Sequence, residues 1–229
     1  MKLFIIHGWA YSIEPWQNTV DNLREQGVEV VQLKVPGLTE PSNEIWTVEK
    51  YVAWLGEQLV HEDHPIVLGH SNGGRIAMHF DVEHPGKFRK LMLLNSAGIE
   101  IRSERLSVKR RIIRIAAKLL KPLKHIPGLK KLVYRLLGSD YGNAPKNMQA
   151  TLAHMLASDR SFDATKVTAP TSILWGEADT TTPLAMGKKL HQLISQSTLK
   201  TIPDWHHAPY RTHPEQLATE ILKILEDTA

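Results

Sequence analysis

Ile66-Val67-Leu68-Gly69-His70-Ser71-Asn72-Gly73-Gly74 sets a serine between two glycines where a short apolar run gives way to a helical pattern. Pro65 to Leu68 reads as a strand, and Arg75 to Phe80 has the spacing of a helix. A serine at such a bend sits on strained backbone with its Oγ pushed out of the sheet. Side chains two residues to either side would collide, which is the reason for Gly69 and Gly73. The following helix begins with N–H groups that carry the positive end of its dipole, so the Asn72 N–H can meet a negative oxygen formed at the serine. Ser71 is therefore a candidate nucleophile. The bland alternative is a serine in a glycine-rich turn, since G-x-S-x-G alone is a weak pattern.

Three further segments fall in chain order around it. Leu3-Phe4-Ile5-Ile6-His7-Gly8-Trp9 is an apolar strand ending in a His-Gly turn, and Ser172-Ile173-Leu174-Trp175-Gly176-Glu177-Ala178-Asp179 is a buried strand with carboxylates at its carboxyl end. Pro203-Asp204-Trp205-His206-His207-Ala208-Pro209 puts histidine in a loop after the strand-like Thr198 to Ile202. With the order Ser, Asp, His and four motifs in register, the chain resembles the α/β-hydrolase family from the His-Gly turn to the helix near Pro214 to Leu225.

For the acid, Asp179 competes with Glu177, Asp163 and Asp204. Glu177 sits close to the strand end, Asp204 lies on the histidine's own loop as a turn former or cap, and Asp163 precedes the strand as a solvated or capping residue. Asp179 is the choice as the group that orients and charge-stabilises a histidine. The resemblance aligns His207 with the catalytic histidine and puts His206 where the family commonly has glycine, so His206 stays open as an alternative base. It also implies that the Trp9 N–H is the second oxyanion donor beside Asn72, with His7 bracing the turn and His70 packing near it.

The apolar runs alternate with helical patterns: strands over Leu3 to His7, Val28 to Val35, Pro65 to Gly69, Leu91 to Asn95, Thr171 to Gly176 and Thr198 to Ile202, with helices between. Such alternation predicts an α/β fold, a short, mostly parallel, doubly wound sheet of about six strands whose carboxyl ends bind ligand. Relative to the family, one or two opening strands are missing ahead of the His-Gly strand. Residues 1–98 and 164–229 are expected to form the core, and 99–163 an inserted helical cap. Three apolar stripes support the cap: Val108, Ile112, Ile115, Ala116 and Leu119; Leu129, Leu132, Val133, Leu136 and Leu137; and Met148, Leu152, Met155 and Leu156.

A chain of 229 residues with 42% hydrophobic content can bury one large core with such an insertion. The absence of cysteine excludes disulfides, a thiolate nucleophile and cysteine metal sites. Only four apolar residues, Leu3 to Ile6, precede His7, short of a signal-peptide core, and no run approaches membrane-spanning length, which agrees with a cytoplasmic protein. The net charge of +4 is uneven: from Ile101 to Arg135 twelve Lys or Arg face one acid, Glu104, so that this window carries +11 and the rest is acidic. The bland account is a solvated face that keeps a cap soluble. The sharper ones are an anionic lipid surface met by Arg110, Arg114, Lys118 and Lys121, or an acidic substrate tail. Nucleic acid is not expected, because aromatics are not interleaved beyond Tyr134.

The resemblance implies a serine hydrolase acting on a small carboxylic ester or related acyl compound through an acyl-enzyme, with no metal or organic cofactor required. A carbon–carbon bond hydrolase of ring-cleavage products uses the same residues, and a ligand-binding protein that keeps the fold with little turnover is the alternative of another class. Dehalogenase and epoxide hydrolase chemistry is excluded, since both need a carboxylate where Ser71 stands.

Overall fold

The computed structural model describes residues 1–101 and 144–228. Six strands, β1 (Lys2–Ile6), β2 (Glu29–Leu33), β3 (Ile66–His70), β4 (Lys90–Leu94), β5 (Thr171–Gly176) and β6 (Ser197–Ile202), form one sheet in the order β2-β1-β3-β4-β5-β6. All five pairings are parallel. The principal described helices are α1 (Gln17–Glu25), α2 (Val48–Gln58), α3 (Asn72–Glu83), α4 (Lys146–Ser158), α5 (Leu184–Leu193), the single turn α6 (Pro209–Thr212) and α7 (Pro214–Glu226).

A parallel sheet has to be covered on both faces, and alternating side chains along each strand supply the two layers. Leu3, Ile5, Ile66, Leu68, Met92 and Leu94 pack with Val20 and Leu23 of α1 and Leu217 and Ile221 of α7. Phe4, Ile6, Val67, Leu91 and Leu93 pack with Tyr51 and Leu55 of α2 and Ile76 and Phe80 of α3. Each fully buried aliphatic side chain contributes about 2 kcal/mol by leaving water. Local signals start the helices where the chain turns: Thr47 caps the N-terminus of α2 by accepting from the Lys50 N–H, and Pro214, which has no N–H to leave unpaired, opens α7.

The strand order reverses between β1 and β3. After β1 the chain runs out to β2, and after β3 it runs the other way to β4, β5 and β6. The loops leaving the carboxyl ends of β1 and β3 therefore diverge and leave a crevice between them. His7-Gly8-Trp9 and Ser71 lie on its two sides.

Elements expected from the sequence shift by one or two residues at most of their ends. The second strand is shorter than Val28 to Val35, because the Val35 carbonyl turns away to accept from Leu38, Thr39 and Glu40. Of the expected cap, α4 is described and packs beside α2. Its apolar stripe needs correcting: Met148 and Met155 are buried, but Leu156 is 53% exposed and Thr151 takes the buried position between them. The reason is polar, since the Thr151 hydroxyl accepts from the Trp46 N–H at 2.8 Å. The stripes containing Val108 and Leu129, and the cationic face of Arg110, Arg114, Lys118 and Lys121, lie outside the described residues. Among the described residues no helix is long and apolar enough to cross a membrane.

Candidate active site

Ser71 follows β3 and precedes α3 with φ 51° and ψ −116°, a conformation that side chains other than glycine rarely adopt. It is held there by its main chain: the Ser71 N–H donates to Leu94 O at 3.1 Å, and its carbonyl accepts from Gly74, Arg75 and Ala97. The glycines around it are forced by contact. A Cβ on Gly69 would stand 2.5 Å from Gly74 Cα, and one on Gly73 would stand 2.0 Å from the Ile6 carbonyl of β1. Gly8 closes the other side, where a Cβ would stand 2.9 Å from Ser71 Cβ. Trp9, half-buried, comes next on the β1 loop. The Asn72 N–H, first in α3, has no intrahelical acceptor.

The histidine loop meets Ser71 from the far edge of the sheet. His207 Nε2 lies 3.0 Å from Ser71 Oγ, and its Nδ1 lies 2.7 Å from Asp179 Oδ2. A carboxylate only accepts, so Nδ1 carries the proton and Nε2 is free to accept from the serine hydroxyl. Asp179 is almost completely buried, and its other oxygen accepts from the N–H groups of Thr181 and Thr182 at 2.7 and 2.9 Å. Burial would push its carboxyl up. The hydrogen bond and charge of His207, with the bonds from Thr182, outweigh that and hold it below the usual carboxylate range.

The other candidates are engaged elsewhere. The His206 ring is exposed and donates from Nδ1 to Ala178 O at 3.1 Å. Glu177 accepts from the Thr201 hydroxyl, Asp163 caps the turn Ala164–Lys166, and Asp204 is exposed. His7 bridges Gly8 O and Thr39 Oγ1 at 2.7 Å each, which ties down the β1 turn.

Two residues at this site carried no signal in the sequence. Asn95, fully buried just after β4 with φ 43°, accepts from the Gly176 N–H at 2.8 Å and donates to the carbonyls of His206 and His207 at 2.9 and 3.1 Å. Thr182 Oγ1 stands 2.7 Å from Asp179 Oδ2 and 3.0 Å from Asn95 O. Gly176 lets the histidine loop approach, because a Cβ there would lie 2.0 Å from Trp205 O. An asparagine following a strand and a threonine three residues past an acid are common in loops, and only the folded neighbours give them this role.

Residues 3–220 match the model of the alpha/beta hydrolase family. The chain belongs to the α/β-hydrolase family. This α/β hydrolase is 25% identical to the protein named "Uncharacterized hydrolase YugF" of Bacillus subtilis, over 98% of this chain and 89% of that protein. It is 24% identical to the pimeloyl-[acyl-carrier protein] methyl ester esterase of Chromobacterium violaceum, over 71% of this chain and 70% of that enzyme. Its fold superposes with a TM-score of 0.73 on MGS-MChE2, an alpha/beta hydrolase enzyme from the metagenome of lagoon sediments at Mar Chica, Morocco, at 20% identity over 99% of this chain and 91% of that chain.

Proposed function

We propose that this α/β hydrolase cleaves a small carboxylic ester by a serine acyl-enzyme route. The observation that carries the reading is the continuous hydrogen-bond chain from Asp179 through His207 to Ser71 Oγ, at 2.7 and 3.0 Å. In the proposed reaction His207 Nε2 takes the Ser71 proton as Oγ attacks the ester carbonyl, and the N–H groups of Asn72 and Trp9 hold the oxyanion. His207 then protonates the departing alcohol. Water, deprotonated by the same imidazole, attacks the acyl-serine and releases the acid, while Asp179 supports the imidazolium in both halves. The relatives named as methyl ester esterases support an ester over a carbon–carbon bond as the scissile group. On this reading residues 1–98 and 164–229 form the catalytic core and 99–163 a cap over the nucleophile.

The test is direct. The protein should be labelled by a fluorophosphonate probe at Ser71 and should hydrolyse p-nitrophenyl esters with a defined preference in a chain-length series. Ser71→Ala should lose both, with a fall on the order of 10⁶ in kcat. Turnover near wild type in that variant would refute the assignment.

A further inference from the structure

Arg75 stands in the first turn of α3, four residues after Ser71, and is only 3% exposed. That turn is the positive end of the helix dipole, an unfavourable place for a cation, and burial removes the water that would offset it. Two acceptors compensate. Asp159, just past the end of α4, takes a bidentate fork from Arg75 Nε at 2.6 Å and Nη2 at 2.9 Å. The remaining nitrogen, Nη1, donates to the side-chain oxygen of Asn72.

The Asn72 carboxamide is thereby turned by Arg75. Its Nδ2 is buried without a hydrogen-bond partner among the described residues, so no second bond competes for its orientation. One turn along α3, the His79 ring rests on Phe162 with centroids 4.3 Å apart. Burial and then the Arg75 charge push the His79 imidazole down to about 4, so it stays neutral near neutral pH and leaves Asp159 to the guanidinium. The α4 segment thus touches α3 through a rigid, planar fork whose inner end lies on the residue after the nucleophile.

We infer that Arg75 is a positioning residue, which through Asp159 couples the docking of α4 on α3 to the placement of the Asn72 amide beside Ser71. The inference rests on the reading of Ser71 as nucleophile and the Asn72 N–H as oxyanion donor. A two-bond fork resists rotation as a single ammonium cannot, so a shift of Asp159 is passed to Arg75 and on to Asn72. Misplacing such a donor by a fraction of an ångström lowers turnover while leaving ground-state binding little altered.

Replacing the pair by apolar chains, Arg75→Met with Asp159→Leu, separates this role from stability, because such swaps of buried ion pairs are often neutral or stabilising. The double variant should melt within a few degrees of wild type, yet its kcat on a p-nitrophenyl ester should fall about 10- to 100-fold with KM changed less than about threefold. Its Asn72 backbone amide resonance in a ¹H–¹⁵N spectrum should move. Arg75→Lys, which keeps the charge and loses the fork, should fall by a similar factor, and Asp159→Asn provides an isosteric second disruption should the double variant not fold. Wild-type kcat together with an unmoved Asn72 resonance in a folded variant overturns the coupling, even if the melting temperature drops. If the wild type hydrolyses no ester but the resonance moves in the variants, the coupling stands and the ester reading falls instead.

Discussion

His70 donates from Nε2 to the main-chain carbonyl of His207 at 2.8 Å, joining the residue before Ser71 to the loop that faces it. Since a carbonyl only accepts, Nε2 carries the proton, and Nδ1 is buried without a partner among the described residues. The ring is boxed by Trp16 and Tyr210, with centroids 5.8 and 5.1 Å away, and burial pushes its imidazole down to about 3.

That shift makes the fold acid-sensitive in a definite direction. Below about pH 6.5 the unfolded chain binds a proton at His70 that the native state refuses until about pH 3, so stability falls as pH drops through that window. His70→Gln, which keeps a donor and cannot titrate, should remove up to about 1.4 kcal/mol per pH unit from the slope of unfolding free energy between those limits. Urea unfolding at several pH values measures it, and an unchanged slope would refute the assignment of this proton. His7 and His79, also pushed down mainly by burial, and Asp179, held below the usual carboxylate range, should keep part of the acid sensitivity in the variant.

Asn95→Ala should both destabilise the protein and slow it. The Gly176 N–H and the His206 carbonyl lose their buried partner, while the His207 carbonyl keeps the bond from His70; the unsatisfied groups cost about 1 to 3 kcal/mol, and alanine tolerates the positive φ less well than asparagine. Thermal melting should report the first effect. Ester turnover should fall at least about tenfold through misplacement of His207, and a variant that melts lower with full kcat would show that Asn95 holds only the fold.

His207→Ala should lose nearly as much turnover as Ser71→Ala, whereas His206→Ala should keep most of it. Only the first ring stands between Asp179 and Ser71, while the second faces solvent and the Ala178 carbonyl. Steady-state kinetics of the two variants, side by side, decides it, and the reverse ranking would transfer the role to His206.

Asp179→Asn should cut kcat by about 10⁴ through the wrong histidine tautomer and loss of charge support. The amide would also face the N–H groups of Thr181 and Thr182 and the Thr182 hydroxyl with one acceptor fewer. A larger loss in Asp163→Asn or Asp204→Asn, measured on the same ester, would move the acid elsewhere.

Strand and helix order was legible from the chain because it rests on local pattern: the continuous apolar run Leu3 to Ile6, which suits a strand buried on both faces, and the stripe of α7 depend on neighbours a few residues away. The turn at Ser71 was legible for the same reason, since glycines on either side are a local steric demand. Leu156 was misplaced because one hydrophobic stripe does not say which of its members a distant Trp46 N–H will displace in favour of Thr151.

Order along the chain favoured Asp179 among four acids and His207 over its neighbour, but it left His206 open as the ring that meets the serine and could not show which acid meets that ring. Those choices depend on how the carboxyl ends of β3, β5 and β6 converge, and a one-residue step in the loop after β6 turns a ring from Ser71 to solvent. Asn95, Thr182, His70 and Arg75 bond across roughly 80 to 140 residues of sequence or through a neighbour that does so. Hydrogen bonds of that range leave no periodicity behind, so the residues that orient the site emerge only when the sheet has brought its loops together.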